Sequence, residues 1–121
     1  MAKNITLTEA EEKLASLILS NAPLTSPDLV ALAAKELQWK KSTTYTILKK
    51  LCDKGVFKNE NANITVLLTR EEQLARESRQ YVEDTFGGSL PKFIASFFSG
   101  RKLTQEQALE LKRLIEEYEE D

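Results

Sequence analysis

A mainly α-helical fold with one small β-hairpin is predicted, a winged helix-turn-helix domain followed by three further helices. Three observations predict it. Apolar residues recur at helical spacing in three segments between Thr8 and Gly55. A β-branched stretch then follows a glycine stop and an asparagine-rich turn. Helix-start patterns at Thr69 and Thr104 flank a phenylalanine-rich segment in the second half of the chain.

The first helix opens at Thr8, with Glu11 placed to complete a capping box. Ala10, Leu14, Leu17 and Ile18 form its apolar side, and Asn21-Ala22-Pro23 breaks it. The second opens at Ser26-Pro27, a capping serine with proline at the first helical position. Leu29, Val30, Leu32, Ala33 and Leu37 supply its buried side. Only Gln38 to Lys41 link it to the third helix, whose inner face carries Thr44, Ile47, Leu48 and Leu51. Gly55 is placed as the C-cap, with Lys49, Lys50 and Lys54 near the negative end of the helix dipole. Val56 to Glu60 and Ile64 to Leu68 then read as two strands around an Asn61-Ala62-Asn63 turn.

In the second half, Thr69-Arg70-Glu71-Glu72 starts a helix with Leu74, Tyr81, Val82 and Phe86 on its apolar side, ended by Gly87-Gly88-Ser89. A short helix carries Leu90, Phe93, Ile94, Phe97 and Phe98 at helical spacing and stops at Ser99-Gly100. Thr104 and Gln107 open the last helix, whose inner positions are Ala108, Leu111, Leu114 or Ile115, and Tyr118. The expected boundary lies between residues 1–69, the winged helix, and residues 70–121. Three such helices are too few to bury their own apolar faces. They either fold back on the winged helix or pair with a second copy. Pairing is the better supported, because winged helices that read DNA use paired half-sites. The expected homodimer interface is Leu74, Tyr81, Leu90, Phe93, Ile94, Phe97, Phe98, Leu111 and Ile115.

The outer face of the third helix points to function. Thr43, Thr46 and Lys50 share it at i, i+3 and i+7. Hydroxyls and an ammonium suit phosphate and base-edge contacts in a major groove. A plain solvated surface carries similar residues, so the charge distribution has to decide. The chain has a net charge of −2, which argues against indiscriminate coating of nucleic acid. Residues 40–58, however, hold six lysines against one aspartate, a local balance of +5, while residues 106–121 stand at −5. Lys40, Lys41, Lys49 and Lys50 therefore join the candidate DNA-binding set.

Composition excludes other classes. With 41% hydrophobic and 30% charged residues the chain is soluble and ordered. No apolar run approaches the roughly 20 residues of a bilayer span, so no membrane insertion is expected. Met1-Ala2-Lys3-Asn4 has no apolar leader, and one cysteine cannot form an intrachain disulfide, so a cytoplasmic location is expected. Cys52 falls on the inner side of the third helix and reads as a small core residue rather than a redox sensor. There is no histidine, which removes Ser-His and Cys-His pairs and most zinc sites. No glycine-rich phosphate loop occurs. No enzyme activity, cofactor or metal is expected.

The order of elements and the stretch from Trp39 to Phe57, with Thr43, Thr46, Leu48, Leu51, Lys54 and Gly55, resemble the bacterial penicillinase and methicillin-resistance repressors, a group that also contains copper-responsive repressors. The resemblance runs from Leu7-Thr8-Glu9-Ala10-Glu11 to the last helix. It implies an N-terminal winged helix, a three-helix dimerisation domain and homodimers that repress transcription from palindromic operators. It also implies that Ser42, Thr43, Thr46 and Lys50 lie on the reading face. Three departures stand out. The C-terminal cysteine cluster of copper-responsive members is missing, which excludes metal sensing by that route. Resistance repressors are cut between Asn and Phe by a membrane-bound sensor protease; the matching bond here is Ser96-Phe97, which keeps only the phenylalanine. The wing tip, Asn61-Ala62-Asn63-Ile64, lacks a basic residue. The expectation is thus a homodimeric repressor that binds a double-stranded operator through its third helix and is released by cleavage in the dimerisation domain. A winged-helix protein-interaction module without specific DNA binding is the alternative.

Overall fold

A computed structural model describes residues 4–121; the Met1-Ala2-Lys3 start, part of the expectation of no leader, lies outside them. The elements are α1 (Glu9–Asn21), β1 (Leu24–Thr25), α2 (Ser26–Glu36), α3 (Lys41–Asp53), β2 (Phe57–Glu60), β3 (Asn63–Val66), α4 (Arg70–Phe86), α5 (Leu90–Phe97) and α6 (Gln105–Tyr118). They divide between two compact units, Met1–Ser78 and Arg79–Asp121. The start of α4 belongs to the first unit and its remainder to the second.

Local capping chemistry sets most helix starts. The Thr8 hydroxyl accepts from the Glu11 amide at 3.2 Å, and the Glu11 carboxylate accepts from the Thr8 amide at 3.0 Å. The same reciprocal pair joins Thr69 to Glu72 and Thr104 to Gln107. The start of α2 differs from expectation: Thr25, not Ser26, is the N-cap. Its hydroxyl accepts from the Asp28 amide and its amide donates to the Asp28 carboxylate, both at 3.2 Å, and this reciprocal pair of hydrogen bonds satisfies more of the helix start than a single serine cap would. Ser26 is instead buried, and its amide donates to the Ala62 carbonyl at 2.8 Å. At the end of α3 the cap is Lys54, and Gly55 follows it with φ +79°, the left-handed turn that glycine makes without a Cβ penalty.

The wing is tighter than predicted. Asn61 and Ala62 both take positive φ, 53° and 64°, so the turn has two residues and β3 already begins at Asn63. Glu60 pairs with Asn63, and Phe57 with Val66. Leu67 and Leu68 lie beyond the strand, their amides both donating to the Val56 carbonyl. A third strand escaped prediction. β1 pairs with β3, Leu24 opposite Ile64, to give the order β1-β3-β2. Its two residues are too few to show any alternation in sequence.

Leu14, Ala15 and Ile18 of α1, Leu29 and Ala33 of α2 and Leu48 and Leu51 of α3 close on Leu24, Val56, Phe57 and Ile64 to form the core of the first unit. Phe57 is the largest side chain fully buried there.

The second unit has no such core. None of residues 79–121 is buried. Tyr81, Phe86 and Phe93 form an aromatic triangle with ring centroids 5.5–6.0 Å apart. Phe93, Ile94, Phe97, Phe98, Leu111 and Leu114 line an open cavity of about 560 Å³. Leu90, Phe97, Ile115 and Tyr118 are exposed.

Candidate nucleic-acid interface

Helix α3 divides cleanly into two faces. Thr44, Leu48 and Leu51 are buried, and the Thr44 hydroxyl is satisfied by the Lys40 carbonyl at 3.3 Å. Ile47 is half-buried. Lys41, Ser42, Thr43, Thr46, Lys49 and Lys50 are all exposed, as is Lys40 just before the helix. The core anchors one side, so the polar side is presented on a rigid element. Lys40 and Lys41 begin the helix, no side chain caps it, and its first turn carries no acid. The other five helices each have a side-chain cap among the described residues. The positive pole of the α3 dipole is thus left open and reinforced by two ammonium groups, an arrangement that attracts phosphate.

Charge counting along the sequence overstated the free cations. Lys54 points away from the outer face and is 15% exposed; its ammonium donates to the Glu11 carboxylate and to the Thr6 carbonyl, the latter at 2.8 Å. Lys58 pairs with Glu60 at 2.6 Å on β2, and Lys49 with Asp53 at 3.4 Å one turn on. Lys40, Lys41 and Lys50 carry no such ion pair among the described residues. Burial pushes the Glu11 carboxyl up, but the Lys54 hydrogen bond, the Thr8 amide and the charges of Lys54 and Lys50 outweigh it and hold it below the usual carboxylate range.

The sequence matches the profile of the penicillinase repressor family over residues 7–117. The chain belongs to that family. Penicillinase repressors are DNA-binding regulators of transcription, and this member is a DNA-binding transcriptional repressor in the same sense. No curated protein matches the chain. No helix among the described residues is long and apolar enough to cross a membrane.

Of the positions expected at the interface of this family member, Phe93, Ile94, Phe97, Phe98 and Leu111 come together around the open cavity. Tyr81 joins Phe93 in the aromatic triangle, and Leu90 and Ile115 lie exposed elsewhere on the second unit. Leu74 belongs to the first unit, where it lines a small crevice with Leu7, Leu19, Val56 and Leu68. Ser96 and Phe97 are both exposed at the last turn of α5.

Sequence reasoning placed Glu11 only as the capping partner of Thr8 and missed its burial against Lys54; it missed Gln73 and Arg76 altogether. A signal existed for Glu11, which stands at i, i+3, i+4 and i+7 with Leu14, Ala15 and Ile18 and so falls on the buried stripe. Gln73 is also buried, and no apolar neighbour pattern marks it.

Proposed function

We propose that the chain is a homodimer that represses transcription by reading a palindromic operator through the outer face of α3. Lys40, Lys41 and Lys50 bind phosphates, and Ser42, Thr43 and Thr46 approach the base edges and adjoining phosphates. Lys49 contributes more weakly because Asp53 holds it. The single observation that carries this reading is an exposed hydroxyl-and-lysine face on a core-anchored helix whose positive pole is open.

Dimerisation through residues 70–121 is supported by the apolar surface that the second unit leaves uncovered. Release is by proteolysis at Ser96-Phe97 by a sensor protease, in the cytoplasm. The place of the bond in the last turn of α5, where local unwinding is cheap, supports it.

Selection from random duplex DNA, followed by titration of the enriched site with base-substituted variants, tests the reading. A two-fold symmetric site bound by two chains is expected. Recovery of no enriched sequence would favour a protein-interaction module.

A further inference from the structure

We propose that Arg76, held by Gln73, is a positioning residue for operator reading, fixing the C-terminal end of α3. The proposal rests on α3 being the reading helix. Lys54, the residue that caps α3, is gripped at both ends. Its ammonium is taken by Glu11 and by the Thr6 carbonyl. Its own carbonyl accepts from the Arg76 guanidinium at 2.6 Å. That guanidinium donates from the same nitrogen to the Gln73 side-chain carbonyl at 2.7 Å. Gln73 is 5% exposed, and its amide nitrogen donates to the Ile5 carbonyl at 2.8 Å and to the Glu77 carboxylate at 3.0 Å. Glu77 in turn accepts from the Leu7 amide at 3.1 Å.

The result is a closed polar ring. It joins the end of α3, the segment Ile5–Leu7 and the first two turns of α4, all within the first unit. A helix end otherwise leaves its last carbonyls to water. Here one of them is held by a cation on a separate helix, and charge-assisted bonds of this kind are short, strong and directional. Arg76 also sits against the left-handed turn: a Cβ added to Gly55 would lie 3.4 Å from its Nη1. Arg76 neither belongs to α3 nor shares its outer stripe, so its effect on DNA must pass through the placing of that helix.

Operator affinity, the slope of log affinity against log salt, and hydrogen exchange of the free protein, measured on wild type, Arg76→Met, Arg76→Lys and Gln73→Leu, test this. Arg76→Met should weaken operator binding about tenfold, the size of a lost charge-assisted hydrogen bond. The salt slope should stay unchanged, because no phosphate contact is removed. Arg76→Lys, which keeps a donor for the Lys54 carbonyl, should recover part of the loss, and Gln73→Leu should behave like Arg76→Met. Without DNA, the Gly55 and Val56 amides should exchange faster in Arg76→Met, while those in the middle of α1 keep their protection. Affinity within about twofold of wild type would overturn the proposal, as would a slope reduced by about one. So would equal loss of protection throughout α1, the mark of general destabilisation. If Arg76→Met does not fold, Arg76→Lys and Gln73→Leu carry the same judgement. A wild type that selects no operator refutes the reading-helix assignment, and the exchange measurement then judges the tie alone.

Discussion

Lys54 donates its ammonium to the carboxylate of Glu11, a side chain only 2% exposed, and so joins the end of α3 to the first turn of α1. Glu11 serves at the same time as the capping partner of Thr8. Losing one member of such a pair leaves the other charge buried without its counter-ion, which typically costs about 3–5 kcal/mol.

Glu11→Gln should therefore lower stability, by less than that full amount because Lys54 is 15% exposed and keeps its bond to the Thr6 carbonyl, as read by urea unfolding at pH 7. The pH dependence has a definite sign. The folded-state pKa of Glu11 is lowered, so its contribution is complete above the ordinary carboxylate value and is lost as pH falls through the lowered one. Wild type should lose stability below about pH 4 more steeply than Glu11→Gln. Parallel acid limbs for the two proteins would show that the carboxylate is not held by Lys54.

The lysines should separate by their pairing. Lys41→Ala and Lys50→Ala should each flatten the salt slope by about one unit per protomer and weaken all duplexes alike. Lys58→Ala should change it less, since Glu60 already neutralises Lys58. Thr46→Ala should instead cost about 1–3 kcal/mol at particular operator positions. Titrations across salt and across base-substituted operators would test this, and identical profiles for Lys50→Ala and Thr46→Ala would remove the assigned roles.

Assembly should depend on the second unit. Sedimentation at tens of micromolar should find the wild type dimeric, that concentration being well above a typical interface Kd of ~10⁻⁶ M. Phe97 is 60% exposed in the single chain, so Phe97→Ala should promote dissociation while the first unit keeps its fold. Operator affinity should fall with it. A monomeric wild type would refute both the interface and the switch at Ser96-Phe97.

Cys52 should react slowly. Burial pushes its thiol up, the Asn59 backbone amide pulls it down and the Asp53 charge raises it, leaving it net above the ordinary value. Iodoacetamide at pH 7.5 should label the native protein far more slowly than the urea-unfolded chain, as read by intact mass. Equal rates would mean that the half-buried thiol is open to solvent.

Legibility followed the range of the interactions. Capping boxes at Thr8, Thr69 and Thr104 are local and could be read directly. So could the two faces of α3, which one helical period sorts. Thr25 was overlooked because Ser26-Pro27 imitates a helix start as well as Thr25 and Asp28 make one. The strand β1, the pairing of Lys54 with Glu11 and the links from Arg76, Gln73 and Glu77 to Lys54, Ile5 and Leu7 join residues 22 to 70 positions apart, and no periodicity encodes such partners. Lys58 looked like a free cation because Glu60 lies just beyond the stretch counted, and Lys49 because a net count sets Asp53 against the whole stretch rather than against one lysine.

The small sheet also bears on how these molecules behave when crowded. β3 is its central strand, so only β1 and β2 present rims. One rim is two residues long; in the other, Phe57 is buried in the core and the exposed residues Lys58, Asn59 and Glu60 are charged or amide-bearing. Neither offers the flat apolar strip onto which another chain's strand could add. Winged helices gathered at neighbouring sites on one duplex can therefore lie close together without their wings fusing into a continuous sheet.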